Sequence, residues 1–369
     1  MNQRLKHLLL ITALVLCGQL TLQAQFHTLK IPKASNYVSE TQTLGVTDIT
    51  LTYHSPATRG RDIWNNPNII PQNGDPIAWR AGANMNTTIT FSTDVQIEGQ
   101  PLASGTYGFH IIPRGDTYQL LFAHASQQWG SYYLDVDKDV TLKVSVTADS
   151  IPYSEKLDYE FLDWQEDAVK VGLEWGNRRI PFTVSVDLNE TVVTSLRSEL
   201  RGINTYRWEA WNDAARWCLN HDTNLEEALA WAERSINGGY HGFAANKNAS
   251  NLQTKAELLQ KLNRQAALDQ TIAEAIVMDM NPDQTNYFSI FLLKSEKYQE
   301  AVTLLDKTLS TYPDTWYLQL NKSIGYYFLG KKKTALKLFS EVKAPEFFAQ
   351  RMQEIENEIK DGTYKIPGA

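Results

Sequence analysis

Gly325-Tyr326-Tyr327-Phe328-Leu329-Gly330-Lys331-Lys332-Lys333-Thr334-Ala335 decides how the second half of this chain folds. It aligns with Ile290 to Ala301, so that a helix-joining turn falls at Glu296 and again at Gly330, 34 residues apart. The small residues Ala301 and Ala335 recur at the same distance, and Pro313 follows Ala301 by 12. A small side chain lets two helices approach closely, and a proline ends the second helix. A fixed period of this length implies helix pairs that stack, each burying its apolar face on the next.

Working toward the N-terminus, the copies loosen. Ala256 to Leu268 carries Asn263 at the turn, a residue that tolerates the left-handed conformation. Ala214 to Ile236 carries Ala228 at the small position. Leu225 to Ile236 reads as an amphipathic helix with Asp222, Thr223 and Asn224 as N-cap candidates. Asn237 to Ala249 is a Gly- and Asn-rich insertion, and Pro345 to Lys360 is expected to form a terminal capping helix. The reading is about four helix pairs. The spacing resembles the tetratricopeptide pattern, most closely over residues 282–343; a generic helical bundle is the alternative.

The period changes below residue 190. Val46-Thr47-Asp48-Ile49-Thr50-Leu51-Thr52-Tyr53 alternates apolar and polar, as a half-buried strand does. Similar runs are Thr87 to Phe91, Val95 to Glu98, Thr106 to Ile112, Tyr118 to Ala123, Val140 to Ala148, Leu157 to Phe161, Ala168 to Leu173 and Phe182 to Leu188. Turns are expected at Glu98-Gly99-Gln100-Pro101, Ala103-Ser104-Gly105, Pro113-Arg114-Gly115-Asp116 and Trp175-Gly176-Asn177. Asn65 to Asp75 reads as a loop. Many short strands at close spacing predict an antiparallel sandwich or a partly closed barrel. The fold class is therefore α+β multidomain: a β-sandwich over 25–189, then a tetratricopeptide-like helical array over 190–369.

Residues 1–24 read as a secretory signal peptide, with Arg4, Lys6 and His7 before the apolar run Leu8 to Leu16. The run is short for a bilayer span, and a lipoprotein signal ending at Cys17 is a second option. The reading implies a secreted, periplasmic protein with no transmembrane segment in its mature chain. Of the two cysteines, only Cys218 then remains, which leaves no partner for an intramolecular disulfide. The net charge of −7 becomes −9 without the signal, and residues 25–189 hold most of it, with 12 basic against 19 acidic groups. That balance argues against nucleic acid or an anionic membrane as partner.

Candidate chemistry is sparse. No nucleophile elbow, phosphate-binding loop, dinucleotide fingerprint or metalloprotease histidine pair occurs, so neither a catalytic residue nor a cofactor is expected. His110 and His124 fall on neighbouring predicted strands and could share a face, but a metal site needs further ligands. Asp135 to Asp139 lacks the central Gly and closing Glu of a calcium loop and reads as a solvated acidic turn. The densest constellation is Trp79-Arg80-Ala81-Gly82-Ala83-Asn84, with Arg61 and Trp64 upstream. Arg offers a planar fork to carboxylate or phosphate, and Trp stacks on sugar rings. Candidate ligand-binding residues are Arg80, Trp79, Asn84, Trp64, Arg61 and His110. The competing reading makes Arg80 a strut that bonds loop carbonyls.

Residues 33–188 also resemble the bacterial envelope family termed domain of unknown function 2911. The resemblance rests on Thr43-Leu44-Gly45-Val46-Thr47-Asp48-Ile49, Gly60-Arg61-Asp62-Ile63-Trp64, Trp79-Arg80-Ala81-Gly82-Ala83-Asn84 and Thr88-Ile89-Thr90-Phe91-Ser92. It continues through Gly105-Thr106-Tyr107-Gly108, Ile112-Pro113, Gln128-Trp129-Gly130 and Ile180-Pro181-Phe182. It implies secretion and a β domain, but no established activity. An acidic residue usually follows the Asn of the Arg-Gly-Ala-Asn stretch; this chain has Met85 there, which argues against an enzyme. The leading expectation is a non-catalytic envelope scaffold with a protein or peptide partner on its helices. The alternatives are a β domain that binds a neutral small molecule or glycan, and an envelope hydrolase.

Overall fold

The computed structural model describes residues 32–71 and 78–367, so the expected signal segment and part of the Asn65–Asp75 loop lie outside the described residues. The chain divides into two units, the first running to Ser185 apart from Leu44–Thr47, and the second taking those four residues together with the chain from Val186 onward.

The first unit contains two antiparallel sheets. Strands β1 (Asn36–Leu44), β2 (Thr47–Ser55), β3 (Thr87–Phe91), β6 (Gly105–Arg114), β7 (Thr117–Ala123) and β8 (Val140–Thr147) form one, in the order β1-β2-β3-β6-β7-β8. Strands β4 (Val95–Ile97), β5 (Gln100–Leu102), β9 (Asp149–Leu162) and β10 (Ala168–Ser185) form the other, ordered β5-β4-β10-β9. Alternation explains the layering. Ile49, Leu51 and Tyr53 of β2 are buried, while Thr50 faces outward and pairs with Thr41 at 2.8 Å. The sheets meet through Phe182 of β10, 5.5 Å from Phe109 and 5.9 Å from Phe122. The Tyr53 hydroxyl donates to Asp158 of β9, which adds a polar tie between them.

Three strand expectations needed correction. β1 carries no apolar alternation and is mostly exposed, so period gave no signal; it is an edge strand held by pairing with β2. Gln100 and Pro101 belong to β5 rather than to a turn. The reversal is confined to Glu98 and Gly99, both at positive φ, and Pro101 is tolerated because β5 is an edge. Trp175-Gly176-Asn177 does not end a strand. Gly176 takes φ +59° and shifts the register against β9 by bulging, so β10 runs on to Ser185.

The second unit is helical. After α1 (Leu188–Glu199) come the pairs α2 (Trp208–Asn220) with α3 (Leu225–Asn237), α4 (Ala249–Lys261) with α5 (Gln265–Ile276), α6 (Pro282–Lys294) with α7 (Tyr298–Thr311), and α8 (Trp316–Phe328) with α9 (Lys332–Glu341). α10 (Ala349–Asp361) closes the array. The within-pair turns place Asn224, Asn263, Glu296 and Gly330 at φ of 51°, 57°, 60° and 74°. Ala228, Ala301 and Ala335 are fully buried where partner helices cross. At Gly325 an added Cβ would stand 2.8 Å from a Val302 methyl, which shows how closely α8 approaches α7. α6 begins at Pro282 behind an Asn281–Gln284 capping box. Of the expected N-cap candidates of α3, Asn224 is the N-cap residue; it takes the left-handed conformation of the pair's turn and makes no side-chain cap hydrogen bond. This is a tetratricopeptide-like array following antiparallel β-sheets.

Candidate functional site

Trp79 and Arg80 lie where the long connection after β2 returns to the first sheet. Trp79 forms a two-residue bridge with Ile111 of β6, its N–H and C=O each bonded at 2.8 Å. Neighbouring residues on extended backbone point to opposite sides. The predicted constellation is therefore split.

On one side Trp79 is 3% exposed, stacked on Trp175 at 5.9 Å and meeting Trp64 edge-on at 6.0 Å. Trp64 donates from its indole to the Trp175 carbonyl at 3.1 Å, and the Arg178 guanidinium lies over its ring. Arg61 donates to the carbonyls of Thr58 and Ala57, both at 2.8 Å, and so ties its own loop. A cavity of about 320 Å³ opens here, lined by Arg59, Arg61, Asn68, Trp79 and Trp175.

On the other side Arg80 donates to the carbonyl of Asn84 and stands over the Tyr132 ring at 5.3 Å. Its guanidinium presses against Gly130, where a Cβ would lie 2.3 Å from Cζ. The strut reading thus accounts for part of Arg80's bonding. His110 of β6 is fully buried and shares a 2.7 Å hydrogen bond from Nδ1 with Ser131. Burial, and then the nearby Arg80 charge, lower its pKa to about 4, so the ring is neutral at pH 7. His110 and His124 do not meet: His110 pairs with Leu121, and His124 lies beyond the end of β7, 4.0 Å from Asp139.

Sequence reasoning missed Asn86, Gln128 and Ser131. The Asn86 N–H donates to the Gln128 carbonyl at 3.2 Å, and its side chain donates to the Ser126 carbonyl at 3.1 Å. Four buried polar atoms around this point have no partner: His110 Nε2, Asn86 Oδ1, Asn84 Nδ2 and Gln128 Nε2. A buried unpaired polar group costs about 1–3 kcal/mol, so such a concentration calls for an explanation. The Gln128-Trp129-Gly130 stretch was visible as a sequence block, but nothing in it announced contact with Arg80 across the fold. Among the described residues, no group of three or more His, Cys, Asp or Glu is placed to hold a metal ion.

The helical unit has its own concavity. α6, α8, α10 and the segment after α10 enclose about 340 Å³, lined by Ile290, Leu293, Leu320, Ile324, Ile355 and Tyr364. Lys294 and Arg351 stand at its edge, and Arg351 pairs with Glu354 and Glu358.

Residues 35–184 match the family described as Protein of unknown function (DUF2911). That match spans the two sheets and contains both halves of the split constellation. No curated protein matches the chain. Among solved structures, one titled "Crystal structure of MamA protein" is similar at 12% identity and TM-score 0.32, covering 49% of this chain and 88% of that one. "MamA RS-1 ArsTM double mutant" is similar at 13% identity and TM-score 0.30, covering 42% and 80%. "Crystal structure of YrrB: a TPR protein with an unusual peptide-binding site" is similar at 14% identity and TM-score 0.32, covering 45% and 83%.

Proposed function

We propose that the protein is a secreted, periplasmic, non-catalytic component of the cell envelope whose helical array holds a protein or peptide partner. The observation that carries this is the apolar concavity built from the first helices of successive pairs, α6 and α8, and closed by α10. Stacked helix pairs make an extended surface because each repeat adds a helix to the same face. Ile290 and Ile324 offer anchor sites, and Lys294 adds positive charge at the rim, which suits an apolar segment with an acidic flank. No helix among the described residues is long and apolar enough to cross a membrane.

The test is selection of a displayed random-peptide library on the immobilised full chain, repeated with Ile290→Glu. Peptides enriched by the wild type should share apolar anchors and lose binding to the variant. If no sequence is enriched, or if Ile290→Glu binds the same peptides equally, the groove is not the docking site. Fractionation of the expressing cells tests the compartment: recovery in the cytoplasmic fraction with residues 1–24 still attached overturns it.

A further inference from the structure

The cluster beside Arg80 stands apart from the helical reading and carries a second site. Half of the partnerless buried side-chain atoms found among the described residues gather here, on His110, Asn86, Asn84 and Gln128. We propose that this cluster binds a small organic acid that also carries a hydroxyl or amine, with Arg80, Asn84 and Gln128 taking the carboxylate and Asn86 taking the donor.

Complementarity sets the ligand class. Arg80 gives one N–H direction to the Asn84 carbonyl and its face to Tyr132, and no carboxylate among the described residues pairs with it. A guanidinium has five N–H donors, so its remaining ones are available to an anion. Asn84 Nδ2 and Gln128 Nε2 add free amide donors. Asn86 is different. Its NH₂ is committed to the Ser126 carbonyl, so the amide orientation is set and Oδ1 remains as an acceptor. A pure anion would leave that acceptor unsatisfied, whereas a hydroxy acid or amino acid satisfies it. His110 keeps Nε2 free while Ser131 holds its other nitrogen, and as a neutral ring it donates or accepts according to tautomer.

The groups converge. Residues 128–131 bring Gln128, the Arg80-facing Gly130 and Ser131 to one place, and the Asn86–Gln128 backbone bond joins them to residues 84–86. Gly108 lies beneath: a Cβ there would be 2.5 Å from Asn86 Nδ2 and 3.2 Å from His110 Nε2. Exposure grades outward. His110, Ser131 and Asn86 are buried, Arg80, Asn84 and Gln128 are half-buried, and Met85, Trp129, Tyr132 and Tyr133 are exposed. The exposed Trp129, Tyr132 and Tyr133 thus border the side on which the polar cluster comes nearest to solvent. A structural strut uses only Arg80's bond to the Asn84 carbonyl and leaves the four free atoms without a purpose.

The experiment is calorimetric titration and thermal unfolding of the full chain with lactate, tartrate, glutamate and glucuronate at about 10 mM, with glucose and glycerol as neutral controls. At least one acid should bind and raise the unfolding temperature, and the neutral controls should do neither. Arg80→Gln and Gln128→Leu should each weaken that binding about tenfold or more. If Arg80→Gln does not fold, Gln128→Leu decides. The proposal fails if no acid binds, if glucose or glycerol binds as well, or if Gln128→Leu retains wild-type affinity. In the first case the free atoms are satisfied by ordered water alone.

Discussion

Gly130→Ala tests how tightly the loop carrying Gln128 and Ser131 is fitted to Arg80. Gly130 has φ +62°, where an alanine costs about 1–2 kcal/mol through its Cβ. That Cβ would also lie 2.3 Å from Arg80 Cζ, so the guanidinium must move. Moving it breaks the hydrogen bond to the Asn84 carbonyl and the contact with Tyr132. Those losses together amount to about 1–3 kcal/mol, since the donor is charged but only half-buried. Gly130→Ala should then destabilise the protein by about 2–5 kcal/mol. In an Arg80→Ala background only the backbone strain remains, about 1–2 kcal/mol. The coupling from the double-mutant cycle should be about 1–3 kcal/mol, read from urea titrations of all four proteins. Equal costs of Gly130→Ala in both backgrounds would refute the contact and the convergence drawn from it.

Other consequences are independent. His110 has a folded pKa of about 4, below the usual value of about 6.5, so the unfolded chain binds its proton first and stability falls as pH drops from 6.5 toward 4. The loss attributable to it approaches about 3 kcal/mol, and urea midpoints of His110→Phe should lack that part of the acid slope. Glu296 sits at φ +60° where the next repeat has Gly330, so Glu296→Gly should raise stability by up to about 1 kcal/mol, seen as a higher melting temperature. Phe182→Ala removes the ring that touches both Phe109 and Phe122 and should cost about 3–5 kcal/mol in denaturant titration. Burial pushes the Cys218 thiol up to about 11, so a thiol reagent at pH 8 should react with it only at the rate of unfolding.

Much of the architecture was legible because it is written in periods. Alternation over Thr47–Tyr53 and Thr87–Phe91 identifies strands, since side-chain direction repeats every two residues whatever lies beyond. The turns at Glu296 and Gly330 and the alanines at 301 and 335 identify the helix pairs for the same local reason. β1 was not legible, because an exposed edge strand buries neither face and needs no alternation. The run through Gly176 was misread because a glycine at positive φ makes a bulge or a turn according to whether a partner strand continues past it, and β9 does.

The candidate site divides along the same line. Residue type and local density single out Trp79, Arg80, Asn84 and His110 as candidates for binding chemistry from the sequence alone. The sequence could not say that Trp79 and Arg80 face opposite sides, because that follows from the bridge to Ile111, a contact across 32 positions of chain. Nor could it say that Asn86, Gln128 and Ser131 belong with Arg80. The acidity of the first unit favours a neutral ligand or a purely structural arginine, but net charge averages over a surface, whereas recognition depends on what stands within a few ångströms. That Arg80 meets the Asn84 carbonyl and Tyr132, and pairs with no carboxylate among the described residues, depends on which loops meet and not on how many acids the chain contains.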